Sequence, residues 1–375
     1  MKIVLASDSF KGSLSGEQIN GIWLSLTESE REKYDIVPLL IADGGDGTLD
    51  AIVKQKGGKI VPVTAKGPLF DNIKTRYGEF GTSAVISMCE CSGLTLIDEK
   101  SRNPLYTTSY GTGELIKKAI ESGKKKIYIT LGGSATNDGA TGALTALGYK
   151  FVKKDGTVAK GIGKELGEIV SVDDSGKIDT EGVEFVILSD VTNTLLGEKG
   201  AAKTFAKQKG ASDSDIEFLE RGMKNYADVL AIKYGVDVNS VVGGGAAGGM
   251  GAGLSVVLNA KIVSGVEEIL KIVDFDQIIK DADYVITGEG RIDGQSKDGK
   301  VVSGVVRHAK ERGVPVIAVV GSIAEGYEKM YDEGLTAVFS IVNAPSDLDG
   351  ILRRSEKLYK ETAKNVLRLI DSSAK

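Results

Sequence analysis

KIYITLGGSATNDGATGALTALG, residues 126–148, is the stretch whose reading decides the fold. It opens as a buried strand over 127–131 and breaks at Gly132-Gly133. It then runs through Ser134, Ala135, Thr136, Asn137 and Asp138, and its small and apolar residues predict a helix over 143–147. A strand, a Gly-Gly turn, hydroxyl and amide side chains and then a helix N-terminus suit a phosphate. Glycine lets backbone N–H groups approach the anion, and the helix end adds partial positive charge. This nominates Gly132, Gly133, Ser134 and Asn137 as phosphate contacts, with Asp138 as helix N-cap or Mg²⁺ ligand. The competing reading is a tight turn capped by Asn137 or Asp138. The stretch is neither a Walker A sequence nor a dinucleotide fingerprint, because no Gly-Lys-Ser/Thr closes it and the glycine spacing differs.

The 375 residues allow a large core and suggest two domains. Glycine is abundant, 49 residues against 6 prolines and roughly twice the usual share, which points to ligand loops between apolar strands. Net charge is −5, with 47 basic and 52 acidic side chains. No basic block and few aromatics are present, so nucleic-acid and membrane-surface binding are not expected. The chain starts directly on a strand and no apolar run reaches membrane-spanning length, so a cytoplasmic protein without a signal peptide is expected. Cys89 and Cys91, one residue apart, read as packing residues rather than a disulfide or zinc pair. The single histidine, His308, reads as a surface or capping residue, which argues against Ser-His-Asp chemistry and His-based metal sites.

Further strand-loop-helix units carry polar tips. Residues 2–6 form a strand ending in Ser7-Asp8-Ser9-Phe10-Lys11-Gly12-Ser13, before a helix starting near Ser15. This places Asp8, Ser9 and Lys11 at the ligand-prone carboxyl end of a strand. A strand over 36–41 leads into Ala42-Asp43-Gly44-Gly45-Asp46-Gly47-Thr48, where Asp43 and Asp46 read as metal or sugar-hydroxyl contacts, or as an Asx-turn and N-cap. From about residue 59 three consecutive strands, 59–63, 73–80 and 83–88, predict antiparallel pairing. The strand over 185–188 ends at Ser189-Asp190, a carboxylate placed as general base or Mg²⁺ ligand. Residues 213–234 read as a long structural helix. The uncharged cluster 241–253, with Gly244 and Gly245, either wraps anionic oxygens with N–H groups or lets helices pack closely. A strand over 284–286 leads to Thr287-Gly288-Glu289-Gly290-Arg291-Ile292-Asp293, then Lys300. Here Arg291 and Lys300 suit phosphate oxygens and Glu289 or Asp293 suits Mg²⁺, against surface ion pairing as the alternative.

The βα alternation of 1–58 returns over 281–375. Strands at 2–6, 36–41, 284–287, 314–320 and 337–341 then predict one discontinuous, five-stranded parallel α/β domain, and 59–280 an inserted mixed α/β domain. The glycine-rich turns of both are expected to line a common ligand cleft.

The segments DSFKGSLS, ADGGDGT, YGTGELI, LGGSATNDG, SDVTN, GAAGGMGAG and TGEGRIDGQS, in this order, resemble the bacterial type-1 glycerate kinases over nearly the whole chain. The resemblance implies a flavodoxin-like domain and a restriction-endonuclease-like inserted domain. It also implies ATP- and Mg²⁺-dependent phosphorylation of D-glycerate, giving 2-phosphoglycerate. Departures are small: Asp46 stands where Glu is common, Ala140 where Gly is frequent and Thr194 where Pro is frequent. Phosphoryl transfer needs cations on the moving group and a carboxylate near the attacking hydroxyl. Asp190 is therefore assigned as base, and Lys11 and Arg291 as the cations. Gly288 is grouped with the phosphate contacts, and Asp43, Asp46, Asp138, Glu289 and Asp293 compete for the metal. Alternatives are phosphorylation at the 3-hydroxyl, another small hydroxy acid as substrate, or a non-catalytic metabolite sensor. Oligomeric state is left open, with a homodimer as one candidate.

Overall fold

A computed structural model describes residues 1–28, 32–42, 44–45, 47–296 and 300–373. The chain divides into two compact units, residues 1–43 with 266–375, and residues 44–265.

In the first unit five parallel strands lie in the order Leu335–Ser340, Val316–Val320, Tyr284–Thr287, Lys2–Leu5, Asp35–Pro38. All four pairings are parallel, as in a flavodoxin-like sheet. Val316–Val320 is buried at every position, the continuous apolar run a central strand needs when both sheet faces are covered. The Gly16–Thr27 helix begins at a capping box in which Ser15 and Gln18 satisfy each other's backbone N–H groups. Ser15 is the N-cap of this helix. Trp23 on this helix is fully buried, and its indole N–H donates to Tyr359 Oη at 3.1 Å on the closing helix Leu348–Ser373. That bond joins the two ends of a chain segment interrupted by the whole second unit.

The second unit is built on six strands in the order Lys261–Val263, Glu184–Leu188, Lys126–Thr130, Ser83–Ser87, Asn72–Phe80, Lys59–Lys66. The first four are mutually parallel. The last two pairings are antiparallel, as the short turns between 59 and 88 dictate. The helix Asp213–Tyr234 has the bounds its periodicity predicts and is fixed by Asn225, whose amide donates to Leu166 O and Ile169 O. Both cysteines are free; Cys91 is buried, and burial pushes its thiol up to about 12.

The grouping of two segments differs from the expected boundaries at 58/59 and 280/281. Helix Thr48–Gln55 packs on strands Asn72–Phe80 and Ser83–Ser87, so 44–58 goes with the second unit. Val266 and Leu270 close on Gly304 of helix Val301–Arg312, so 266–280 goes with the first.

His308 is neither a surface nor a capping residue. Its ring is largely enclosed, with Nδ1 2.8 Å from Asp276 and Nε2 3.0 Å from Glu267. Burial pulls its pKa down, but hydrogen bonds to Asp276 and Glu267 outweigh this and raise it above 6.5. A raised folded-state pKa means the contribution to stability is complete below the unfolded value and is lost as pH rises through the folded value. In thermal melts the stability difference between wild type and His308→Gln is expected to be full below the unfolded value and to shrink as pH rises above it. A difference that does not change with pH would show that the imidazolium is not the stabilising form.

Candidate functional site

In the first unit, strand order reverses between Lys2–Leu5 and Tyr284–Thr287, the place where open α/β sheets bind ligands beyond the strand ends. The two loops leaving these strands are tied by Asp8 N–H donating to Gly288 O at 2.9 Å. Gly288 allows this because a Cβ there would lie 2.0 Å from Val319 O. Phe10 and Leu14 bridge across a tight turn with Gly12 at φ +76°, which displays Lys11. The short strand Arg291–Ile292 pairs with Ser322–Ile323 and carries Arg291 into the same wall.

These loops enclose a cavity of about 490 Å³. Its lining includes the cations Lys11, Arg291 and Lys300, the carboxylates of Asp8 and Glu289, Ser9, and the apolar Ile341, Val342, Leu348, Ile351 and Leu352. Lys300 Nζ pairs with Glu289 Oε2 at 2.9 Å and Arg291 Nε with Asp293 Oδ2 at 3.3 Å. The ion pairs weighed against a phosphate role therefore exist, and the cations of both pairs line the cavity. Lys11 is exposed and has no ion pair among the described residues. Glu289 is 7% exposed, and its Oε1 has no hydrogen-bond partner among the described residues. Burial raises its pKa, with Lys300 pulling the other way.

In the second unit the four parallel strands end on one side. A Cβ on Gly44 would lie 3.2 Å from Leu188 O and one on Gly132 would lie 2.9 Å from Gly45 Cα. Gly265 N–H donates to Asp190 Oδ1 at 3.2 Å. Asp190, the Gly132-Gly133 turn, Gly44-Gly45 and Gly265 are thus brought together. Asp43 and Asp46, the metal candidates of that glycine-rich loop, lie outside the described residues.

The helix expected over 143–147 runs over Thr141–Ala146, preceded by Ala140 at φ +71°, so its first residue follows Gly133 by eight positions. The N–H groups of Gly132 and Gly133 nevertheless meet no acceptor among the described residues. Asn137 is fully buried, with neither amide atom hydrogen-bonded among the described residues.

Asp138 is also fully buried. Its Oδ2 accepts from Ser109 N at 2.8 Å, Ser109 Oγ at 2.7 Å and Gly142 N at 3.3 Å, while Ser109 Oγ accepts from Ala143 N at 2.9 Å. This carboxylate ties together the starts of helices Tyr110–Glu121 and Thr141–Ala146. Burial raises its pKa, against these hydrogen bonds. Gly244 and Gly245 give their N–H groups to Val241 O and Asn193 O. The glycines after them pack closely instead. A Cβ on Gly248 would lie 2.1 Å from Thr136 O, and one on Gly253 2.1 Å from Gly139 O.

Lys209 is the residue that sequence reasoning passed over. It is 2% exposed, and its Nζ donates to Thr136 O at 2.7 Å and Ser134 Oγ at 3.0 Å. Burial lowers its pKa to about 7, with the charge of Asp138 opposing. Its small neighbours Ala206, Gly210 and Ala211 are the local hint that this lysine is enclosed.

Among the described residues no group of three or more His, Cys, Asp or Glu side chains is arranged to hold a metal ion. No helix among them is long and apolar enough to cross a membrane.

Residues 3–371 match the model of the glycerate kinase family. A glycerate kinase of Halalkalibacterium halodurans is 41% identical over 374 residues, covering 97% of each chain. The glycerate 2-kinase of Escherichia coli is 39% identical over 373 residues, covering 98% of this chain and 97% of its own. A crystal structure from Salmonella typhimurium LT2, assigned as a glycerate kinase 2, superposes with a TM-score of 0.88 at 39% identity, covering 100% of this chain and 99% of its own. With its parallel-sheet architecture and glycine-rich strand ends, the chain belongs to the glycerate kinase family.

Proposed function

We propose that this protein transfers the terminal phosphoryl group of ATP to the 2-hydroxyl of D-glycerate, giving 2-phosphoglycerate and ADP. The observation that carries the reading is the cavity of the first unit. At about 490 Å³ it falls in the range of drug-sized ligands, more than a three-carbon acid needs. Its apolar residues suit a nucleobase, and Lys11, Arg291 and Lys300 suit polyphosphate oxygens. The 2-position is supported by the name of the Escherichia coli relative.

In this reading Asp190 accepts a hydrogen bond from the attacking hydroxyl and takes its proton as the bond to phosphorus forms, while ADP leaves with the electron pair of the broken bond. The hydrogen bond from Gly265 fixes the carboxylate that does this. Mg²⁺ belongs to the proposal. It commonly uses one or two carboxylates together with substrate phosphates, and Asp8 and Glu289 on the cavity wall fit that pattern, Glu289 with an oxygen unpartnered among the described residues. Bound there, the ion would neutralise phosphate charge.

Turnover is tested by ADP release in the presence of D-glycerate, tartronate or hydroxypyruvate. The expected result is the highest kcat/KM for D-glycerate; a tenfold preference for another acid would replace the substrate. Lys11→Met removes the cation that has no ion pair. It is expected to lower kcat/KM by about tenfold to a hundredfold with the fold intact. Unchanged kinetics would take Lys11 out of the phosphate contacts.

A further inference from the structure

The second unit contains a buried cation that the reading above does not use. The Lys209 ammonium is enclosed and has two hydrogen-bond acceptors, Ser134 Oγ and Thr136 O. No carboxylate pairs with it among the described residues, and its third N–H meets no acceptor there. An enclosed amino group is costly to charge, and the carboxylate of Asp138 opposes that cost only in part, so a bound anion would compensate it further.

The geometry on the solvent side says which partner. An ammonium can only donate, so Ser134 Oγ is the acceptor of the Lys209 bond and keeps its own proton to give elsewhere. No acceptor for that proton is present among the described residues. Immediately before it stand the N–H groups of Gly132 and Gly133, which also meet no acceptor, with Gly133 exposed and at φ +69°. Three donors on consecutive residues, with the buried Lys209 Nζ behind them, form a receptor for an oxyanion.

We propose that Lys209 is a positioning residue that, through Ser134, turns residues 132–134 into a binding site for an oxyanion of a bound substrate. The oxyanion is either a phosphoryl group of the nucleotide or the carboxylate of the hydroxy acid. The inference rests on the kinase reading for its two sources, but not for the receptor itself. Lys209 acts through Ser134 and Thr136, which it fixes; Ser134 and the two glycine N–H groups make the contact.

The test compares wild type with Lys209→Met, which keeps the length of the side chain and removes the charge, and Ser134→Ala, which keeps the charge and removes the hydroxyl. Binding of ADP, inorganic phosphate and D-glycerate is measured separately by titration calorimetry, and KM and kcat by ADP release. Both variants are expected to weaken one class of anion by about tenfold, leaving the other within about twofold. Weakening of ADP and phosphate identifies the phosphoryl source; weakening of D-glycerate alone identifies the carboxylate. Affinities unchanged for all three probes, equal weakening of both classes, or a fall in kcat with KM unmoved would overturn the proposal. If Lys209→Met does not fold, Ser134→Ala decides by the same criteria. The two readings fail separately. A wild type that turns over with unmoved KM values in the variants loses the oxyanion site and keeps the kinase. A wild type that binds phosphate through Ser134 without turnover does the reverse.

Discussion

Asp190→Asn is expected to fold with wild-type stability and to lose about two to four orders of magnitude in kcat. The residue follows strand Glu184–Leu188 by two positions, and its carboxylate accepts the Gly265 N–H at 3.2 Å. An amide keeps an oxygen for that hydrogen bond and the same shape, so the loop should stand. What the amide cannot do is take a proton, and general-base assistance contributes about a hundred- to ten-thousandfold. Because proton removal belongs to the chemical step, KM should change little while kcat falls. Circular dichroism and denaturant midpoints check the fold, and steady-state ADP release checks the rate. A near-wild-type kcat would remove Asp190 from the mechanism and transfer the role to another carboxylate.

Gly248→Ala is expected to destabilise the second unit by roughly 3 kcal/mol or more. Two effects act in the same direction. Gly248 sits at φ +67° in a run of left-handed residues with Ala247 and Gly249, which interrupts helix Ala246–Leu258. A Cβ in that conformation costs about 1–2 kcal/mol. It would also lie 2.1 Å from Thr136 O and 2.5 Å from Asn137 Cα, backbone atoms of the loop carrying the candidate phosphate turn. Neither can move without breaking the packing around the fully buried residues 136–138. Gly156→Ala separates the two effects. Gly156 has φ +82° but nothing within 4 Å of an added Cβ, so only the conformational cost of about 1 kcal/mol applies. Urea titration of both variants reads the difference. Equal destabilisation would mean the loop at 136–138 yields, and that the two glycine-rich segments are not locked together.

Much of the fold was legible because the strands of the first unit are short runs of buried Val, Ile and Leu bounded by glycine and polar tips. The alternation over 2–58 and 281–375 gave the five parallel strands observed. Helix Asp213–Tyr234 is the long helix read over 213–234, and it lies between its capping residue Ser212 and Gly235. Local pattern stopped being informative where a residue's partner is distant in sequence. Lys209 looks like a solvated charge in a lysine-rich stretch, and it is buried by a loop more than seventy residues earlier. His308 looked like a surface group for the same reason, its two carboxylates lying 32 and 41 residues away. The uncharged glycine cluster at 241–253 had two readings of equal weight in sequence. The backbone contacts of Gly248 and Gly253 with residues 136–139 favour close packing. The helix expected over 143–147 is present as Thr141–Ala146, its start set by the left-handed conformation of Ala140.

Phosphorus NMR of the reaction mixture, with D-glycerate, ATP and Mg²⁺ supplied and ADP release followed in parallel, tests the central claim most directly. The account predicts stoichiometric ADP and a new phosphomonoester signal assigned to 2-phosphoglycerate. A 3-phosphoglycerate signal would contradict the pose that sets the 2-hydroxyl beside Asp190. The absence of any new phosphomonoester, from protein shown to be folded, would contradict the proposed reaction itself.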